Sequence, residues 1–449
     1  MASRNSWRLT VPRTISLGFL AVILGGMGLL MTPWAQSSGT WGNWLPALFT
    51  STSAVCVTGL SVVDVGTYFS PFGQLVLTLL IQVGGLGYMT ATTFLLILLG
   101  LRFGLRDKVA IQQSLDRSGM DQLRQVLQAI AVTTLIFEGL GAIALLPALL
   151  PRHDGWLAGL WSAIFHSVSA FNNAGFSLYA DNLVGFVGSL RVNLTITLLI
   201  IFGGIGYPVI LEGWQWLRGK RRASRLSLHF RLVTVTTLGM LLLGWLLLLG
   251  AERINPATLG QLPADDQALA AWMQSVTTRT AGFNSIDQTQ MSLFAQMVSI
   301  ALMFVGASPG GTGGGVKTTA LAILLGCTLT VLRGRDSVVA FRRQIPQRIV
   351  LKATAVVVGS AFVVITGTLV MAVCDRQLEF IQLLFEAVSA FATVGLDLGV
   401  TADANAGVQL VLIALMYIGR VGILLLMQAL LGDPQPSRIR HPEEELLVG

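Results

Sequence analysis

Four short segments of the sequence share a glycine that follows small and polar residues, a type of backbone that can coordinate a cation. A cation that has lost its water needs several oxygens around it, and a short extended loop offers main-chain carbonyls. Glycine permits the required backbone angles without a steric penalty. The segments align without gaps on Gly59, Gly175, Gly282 and Gly395, and read Ser53–Leu60, Ser169–Phe176, Val276–Phe283 and Ser389–Leu396.

A second glycine marker follows each of these motifs at a similar distance, at Gly84, Gly203, Gly306 and Gly419. Because both markers recur over the whole chain, they indicate an internal repeat. Each unit is predicted to be a helix, a half-helix, a glycine loop and a second helix. The half-helix would end at the loop, so that the negative ends of four helix dipoles stabilise a cation without a carboxylate.

A long glycine stretch interrupts the apolar run 290–332 in its middle. No continuous helix tolerates so many glycines together with a proline. The pattern is not a phosphate-binding P-loop, because Val316 separates the last glycine from the lysine. A plain flexible hinge with no further role fits this composition. The residues concerned are Gly306, Gly310, Gly311, Thr312, Gly313, Gly314, Gly315 and Lys317.

Arg420 lies in the middle of the last apolar run, where a charge is costly and is expected to face a pore or a polar partner. The alternative is that it pairs with a neighbour to hold the helix bundle. Glu138 also lies in apolar surroundings, where a structural polar contact is favoured over a pore function. Arg279 is expected to brace its loop through hydrogen bonds, and His166 to pack within its half-helix.

Composition places these motifs in a membrane, since 53% of the residues are hydrophobic, 11% are charged and the mean hydropathy is +0.71. Each of eight apolar runs is long enough to cross a bilayer as a helix. The first is interpreted as a retained helix rather than a secretory signal. Between the two apolar runs of each consecutive pair lies a shorter segment of polar and apolar residues, which is predicted to enter the membrane without crossing it. The runs are 15–33, 72–100, 127–150, 190–211, 232–250, 290–332, 353–373 and 407–431.

The expected fold is therefore an all-α integral membrane protein with four helix–pore-loop–helix repeats around a central pore, pseudo-fourfold and similar to a K⁺ channel. Most of the 29 lysines and arginines fall in the arm, the tail and three loops, which places these segments and both termini in the cytoplasm. Asp64, Asp181, Asp287 and Asp397 are among the acidic residues on the outer side, where they would attract cations. The expected divisions are an amino-terminal arm 1–14, repeats 15–100, 101–211, 212–332 and 333–431, and a tail 432–449.

Other classes of function fit less well. Four scattered histidines and three cysteines, Cys56, Cys327 and Cys374, form no catalytic or metal-binding cluster, so no enzyme is expected. The positive charge is explained by topology and needs no nucleic acid. A secondary transporter with alternating access would also use broken helices, but usually two repeats and ionisable side chains at its site.

These motifs resemble the KtrB, TrkH and HKT superfamily of potassium-translocating subunits over essentially the whole chain. The first motif differs from the usual pattern in having Cys56 where threonine is common, while the third motif and the glycine stretch match closely. The lack of an extra helical pair before residue 15 favours the KtrB-like branch. In this family a serine at the first aligned glycine accompanies sodium transport, so Gly59 argues for potassium.

The resemblance implies a potassium uptake protein of the bacterial cytoplasmic (inner) membrane that passes several times through the bilayer and contacts its lipid. It implies a homodimer on a KtrA-like cytosolic ring that binds ATP or ADP, no covalently bound cofactor, K⁺ as the transported ion and Na⁺ as a possible activator. The glycine stretch would be a gate beneath the filter, which Arg420 helps to close. The filter carbonyls would belong to Val57, Thr58, Gly59, Asn173, Ala174, Gly175, Thr280, Ala281, Gly282, Thr393, Val394 and Gly395.

Overall fold

The fold is built from four groups of helices, each with a first helix, a short pore helix and a second helix. A computed structural model describes residues 11–87, 123–219 and 226–431. The first group consists of Val11–Leu30, Trp44–Cys56 and Pro71–Leu86, and the second of Leu123–Leu149, Trp156–Phe171 and Leu190–Ile205 followed by Tyr207–Leu217. The third group consists of Leu228–Glu252, Ala264–Thr277 and Leu293–Phe304 followed by Thr318–Leu332. The fourth group consists of Gln347–Cys374, Phe380–Ala392 and Ala406–Val421 followed by Ile423–Leu431.

Minor elements connect these helices. A short helix, Val65–Tyr68, and 3₁₀ turns at Leu150–Arg152, Val184–Phe186 and Gln288–Gln290 lie in the connections. One small antiparallel hairpin pairs Val339–Ala340 with Arg343–Gln344, and it holds the only strands among the described residues, which otherwise form helices and the loops between them, with two isolated bridges. The arm before Val11 and the tail from residue 432 lie outside the described residues.

The first helices are long and apolar enough to span a membrane, at Pro12–Leu30, Gln128–Arg152, Leu228–Glu252 and Gln347–Cys374. Large apolar side chains on them point outward, such as Leu135 at 67% and Phe362 at 70% exposure. Such exposure suits contact with lipid. The first of these helices already includes Val11, upstream of the apolar run that starts at residue 15.

The expectation that the runs 190–211 and 407–431 each cross the bilayer as one helix is wrong, because both are bent. Helices Leu190–Ile205 and Tyr207–Leu217 meet at 103°, and Ala406–Val421 meets the following helix at 96°. The breaks lie at Gly206 and Gly422, whose φ angles are 95° and 84°. The helix from Pro71 likewise ends at Leu86, before Gly87 at φ 77°. Only glycine adopts such angles readily, and the apolar composition continues across the breaks, so hydropathy does not reveal them.

The four groups form a closed ring, as the pseudo-fourfold expectation requires. Each second helix packs on the pore helix of the next group, and the series returns to its start. The packed pairs are Pro71–Leu86 on Trp156–Phe171, Leu190–Ile205 on Ala264–Thr277, Leu293–Phe304 on Phe380–Ala392, and Ala406–Val421 on Trp44–Cys56. The largest apolar cluster joins the first and fourth groups, and a second cluster joins the second and third.

In three groups the first helix approaches its pore helix at a glycine that faces a buried serine. The serine hydroxyl donates to a carbonyl of the first helix, at 2.7 Å in each case. A Cβ atom on the glycine would lie 2.3–2.5 Å from that hydroxyl, so the close approach requires glycine. The pairs are Gly26 with Ser51, Gly141 with Ser167, and Gly244 with Ser275. This contact fixes the depth of each pore helix.

Candidate functional site

The four aligned glycines face one another around a common axis. All have left-handed backbone, with φ angles of 94°, 70°, 76° and 95° in chain order. A Cβ at each would press on the main-chain carbonyl of the adjoining segment: Gly59 on Ala174, Gly175 on Ala281 and Gly282 on Val394, each at 2.5 Å, and Gly395 on Thr58 at 2.0 Å. The contacts close into a circle, here called the glycine ring, which leaves no room for a side chain.

A second left-handed residue lies two positions before each ring glycine. Such backbone is uncommon for residues other than glycine, yet here it occurs four times in equivalent places. The residues are Val57 (φ 58°), Asn173 (φ 59°), Thr280 (φ 67°) and Thr393 (φ 54°). Alternation of backbone handedness turns successive carbonyl oxygens to the same side of a chain, which is the geometry that a carbonyl-lined ion path needs.

The ends of the pore helices hold these segments by hydrogen bonds. In the first group the amide of Thr58 donates to the carbonyl of Ser53 at 2.8 Å, and the amide of Gly59 donates to the Ser53 hydroxyl at 3.0 Å. Ser389 makes the same two bonds in the fourth group, at 2.8 and 3.1 Å. The negative end of each helix dipole therefore points at the ring.

The third group departs from this pattern. Val276 stands where the other segments have serine, and the amide of Ala281 donates to the carbonyl of Thr277 at 3.0 Å. The connection from pore helix to ring is thus one residue tighter in this group. The gap-free alignment is correct at the ring but displaced by one position within this pore helix.

The glycine stretch forms a loop between Phe304 and Thr318, here called the intramembrane loop, which abuts one side of the ring. The amide of Gly314 donates to the Thr393 hydroxyl at 3.0 Å. A Cβ on Gly313 would lie 1.9 Å from the Thr280 hydroxyl. Two threonine side chains next to the ring therefore touch the loop directly. The sequence indicated a role only for the carbonyls of these residues, so this contact was not predicted.

The loop also fits into the break of the second group's second helix. The amides of Ser308 and Thr312 donate to the carbonyls of Gly204 and Gly203, at 2.9 and 3.1 Å, and the amide of Tyr207 donates to the carbonyl of Gly310 at 3.1 Å. Within the loop, the Lys317 ammonium donates to the carbonyls of Gly313 and Gly314, at 2.7 and 3.4 Å. The backbone groups at the helix break thus form hydrogen bonds with the loop.

Arg420 joins the loop to the first group. It lies in the last turn of Ala406–Val421, where the helix dipole favours a cation. Its guanidinium donates to the carbonyls of Thr312 in the loop and Gly84 in the first group. Arg279 donates to the carbonyl of Gly306, at the start of the loop, at 3.4 Å. The buried Arg279 and the partly buried Arg420 therefore both bind loop carbonyls.

Glu138 makes polar contacts away from the ring. Its carboxylate accepts a hydrogen bond from the side-chain amide of Asn172 at 2.9 Å, and this amide also donates to Gln82 at 2.9 Å. Asn172 precedes Asn173, so Glu138 supports the base of the second segment. This is the structural polar contact that the sequence favoured.

A cavity of about 610 Å³ opens on the side of the ring opposite the loop. It is lined by Gly59, Gly175 and Gly395 and by one aspartate from each group: Asp64, Asp181, Asp287 and Asp397. Four carboxylates in one concave surface produce a negative potential that concentrates cations.

Comparison with known proteins supports the assignment to a family. A family profile described as "TrkH: Cation transport protein" matches residues 14–436. The chain is 39% identical over 442 residues to "Ktr system potassium uptake protein B" of Bacillus subtilis, covering 98% of this chain and 97% of that protein. It is 34% identical to "Potassium/sodium uptake protein NtpJ" of Enterococcus hirae, covering 100% of this chain and 99% of that protein.

The fold has a counterpart among solved structures. The crystal structure of the potassium transporter TrkH from Vibrio parahaemolyticus matches with a TM-score of 0.73 at 19% identity, covering 96% of this chain and 87% of that one. The ring of four pore segments and the full-length sequence matches agree, and the chain belongs to the TrkH family of cation transport proteins.

Proposed function

We propose that this chain carries potassium into a bacterial cell through a carbonyl-lined selectivity filter at the glycine ring. The observation that carries the proposal is the closed circle of Gly59, Gly175, Gly282 and Gly395, with a left-handed residue two positions before each. Carbonyls arranged in this way replace the water that a potassium ion loses. The full-length relatives named as potassium uptake proteins support the choice of ion.

The intramembrane loop is the gate in this proposal. It lies against Thr280 and Thr393 at the side of the ring away from the aspartate-lined cavity. Arg420 holds the loop through the carbonyl of Thr312 and brings a positive charge beneath the filter. A loop in this position blocks the path, and its withdrawal opens it. Opening requires the loop to exchange its hydrogen bonds with Gly203, Gly204 and Arg420 for other partners.

The proposals for regulation and assembly rest on the family resemblance. We propose a homodimer controlled by a cytosolic ring of subunits that bind ATP or ADP, and stimulation by Na⁺. The name of the Enterococcus hirae relative, which mentions both potassium and sodium, supports a role for the second ion. The proposed location is the cytoplasmic membrane, with both termini in the cytoplasm.

A coupled Na⁺/K⁺ transporter with alternating access is the second candidate. The helices bent by 103° and 96° favour it, because broken helices are common in such transporters. Strict stoichiometric coupling of the two ions would support this candidate. Flux that follows the membrane voltage without fixed coupling would support the filter and gate.

The test is rescue of a bacterium that lacks its own potassium uptake on medium with little potassium. We expect the wild-type chain, expressed with its regulatory subunit, to restore growth. A variant lacking residues 310–315 should restore growth without that subunit, because the gate is removed. Lack of rescue by a wild-type chain shown to be inserted in the membrane would contradict the transport function; the same dependence on the subunit after deletion would contradict the gate.

A further inference from the structure

One position in the pore helices carries a buried polar side chain in all four groups. The residues are Thr50, His166 and Glu386, each nine positions before its ring glycine, and Gln274 in the third group, where the pore helix is displaced by one. Their side chains are 0–1% exposed. Buried polar groups are costly unless they are hydrogen-bonded, so the partners of this position indicate what it does.

Glu386 binds the chain that leaves the ring in the fourth group. Its two carboxylate oxygens accept hydrogen bonds from the amide of Leu398 and the hydroxyl of Thr401, both at 2.9 Å. Asp397, two residues after Gly395, accepts a hydrogen bond from the amide of Val400 at 2.8 Å.

His166 makes an equivalent contact in the second group, with an imidazole nitrogen in place of a carboxylate oxygen. Its Nε2 lies 2.9 Å from the Ser177 hydroxyl and 3.4 Å from the amide of Leu178, while Nδ1 lies 2.7 Å from the carbonyl of Ser162. Because a backbone amide only donates, Nε2 is the acceptor and Nδ1 carries the hydrogen. Ser177 and Leu178 follow Gly175 at the same distances in sequence as Asp397 and Leu398 follow Gly395.

The other two groups show how specific this arrangement is. In the third group Gln274 and Gln288 form a reciprocal amide pair at 2.7 and 3.0 Å, which again joins the pore helix to the chain beyond the ring. In the first group the Thr50 hydroxyl is buried and makes no hydrogen bond within the part of the chain that the structure describes. Among the residues that the structure describes, this position binds the amide three residues after the ring glycine in the second and fourth groups only.

We propose that Glu386 and His166 are positioning residues of the selectivity filter, which hold the chain just after Gly395 and Gly175 and thereby keep the ring carbonyls at the spacing that prefers K⁺ over Na⁺. This inference rests on the proposed function, since it assigns what supports the filter. A filter discriminates between ions only while its oxygens keep their geometry, and that geometry depends on supporting contacts.

The experiment compares Glu386→Ala with Glu386→Gln in purified protein reconstituted into lipid vesicles. The readout is uptake of radioactive Rb⁺ in competition with K⁺ or Na⁺, which gives the preference for K⁺ over Na⁺. Glu386→Ala should reduce this preference by about tenfold, because the amide of Leu398 and the hydroxyl of Thr401 lose their partner. Glu386→Gln should stay within about twofold of wild type, since its side-chain amide can accept from the amide of Leu398 and donate to the Thr401 hydroxyl oxygen. His166→Ala should reduce the preference as Glu386→Ala does.

Glu252→Ala is the matched control. Glu252 is another buried carboxylate, which accepts hydrogen bonds from the amide of Ser292 at 2.9 Å and the side chain of Asn255 at 2.8 Å, at the end of a first helix and away from the ring. Its removal should lower the melting temperature and leave the ion preference unchanged. A loss of preference in this control would show that any buried defect perturbs the filter, and would overturn the inference.

A second readout does not depend on transport. Ion binding to the filter stabilises the folded protein, so the melting temperature in detergent should rise more in K⁺ than in Na⁺. Glu386→Ala should lose most of this difference and Glu386→Gln should keep it. If Glu386→Ala keeps both the wild-type ion preference and the wild-type effect of K⁺ on the melting temperature, the inference is overturned but the proposed function is not. The same holds if Glu386→Gln loses as much ion preference as Glu386→Ala. Absence of Rb⁺ and K⁺ uptake both in the wild type and in the variant lacking residues 310–315 would instead contradict the proposed function, because that variant has no gate.

Discussion

Arg420 donates a hydrogen bond to the carbonyl oxygen of Thr312, so a residue of the last group holds the middle of the intramembrane loop. The same guanidinium holds the carbonyl of Gly84, where the second helix of the first group approaches its end. The loop is therefore fixed to the first and fourth groups by one side chain. Its own lysine, Lys317, binds only loop carbonyls among the bonds described.

Arg420→Gln should increase ion flux in vesicles that contain no regulatory subunit. The substitution removes a charge from beneath the filter and weakens the hold on Thr312, because hydrogen bonds from a charged group contribute about 1.5–3 kcal/mol. Initial rates of Rb⁺ uptake measure the effect, and we expect an increase of several-fold. Lys317→Met, which leaves the bond to Thr312 in place, should have the smaller effect. Equal or lower flux in Arg420→Gln would contradict a gate held by this residue.

Gly59→Ser should reduce the preference for K⁺ over Na⁺. A Cβ at this position would lie 2.5 Å from the carbonyl oxygen of Ala174, and the φ of 94° is unfavourable for serine. Both effects displace the ring carbonyls, and we expect a loss of about tenfold in preference. Competition between K⁺ and Na⁺ for Rb⁺ uptake measures it. Gly25→Ser is the control, because a Cβ at Gly25 meets nothing within 4 Å.

The double variant Asp64→Asn, Asp287→Asn should raise the KM for K⁺ at low ionic strength by about twofold, and the difference should disappear at high salt. Both residues line the cavity and cap turns, since Asp64 accepts from the amide of Gly66 and Asp287 from the amide of Thr289, each at 3.0 Å. Asparagine keeps these caps and removes the charge. Asp154→Asn, at an exposed position that does not line the cavity, should leave the KM unchanged. A KM effect that persists at high salt would indicate a structural cause.

Thr50→Val and Ser51→Ala should differ in stability although the residues are neighbours. The Thr50 hydroxyl makes no hydrogen bond in the described structure, so an isosteric valine should change the free energy of unfolding by less than about 0.5 kcal/mol. Ser51 donates to the carbonyl of Ile23 at 2.7 Å, and its loss should cost about 1 kcal/mol. Melting temperatures in detergent compare the two. A larger loss for Thr50→Val would show that its hydroxyl has a partner.

The sequence predicted the repeat and the ring because both depend on glycine, whose backbone requirement is visible in the residue type. Gly59, Gly175, Gly282 and Gly395 align by residue type and spacing alone, and they meet as expected. The bends at Gly206 and Gly422 were not predicted, because hydropathy reports composition and the runs stay apolar across both glycines.

The side chains that support the ring from the pore helices were also not predicted from the sequence. His166 was expected only to pack, but it is hydrogen-bonded on both ring nitrogens. Glu386 was not singled out, since its partners Leu398 and Thr401 follow it by more than two helical turns and meet it only because the chain reverses at the ring. One signal was present: a polar residue nine positions before three of the four ring glycines, Thr50, His166 and Glu386.

The closure of the ring between Gly395 and Gly59 makes neighbours of the first and last parts of a single polypeptide. An assembly of four identical subunits would repeat every substitution four times around the axis. Four guanidinium groups at the place of Arg420 would repel one another strongly in a medium of low dielectric constant. Joining the units in one chain allows a single arginine and a single loop to be placed on one side of the ion path.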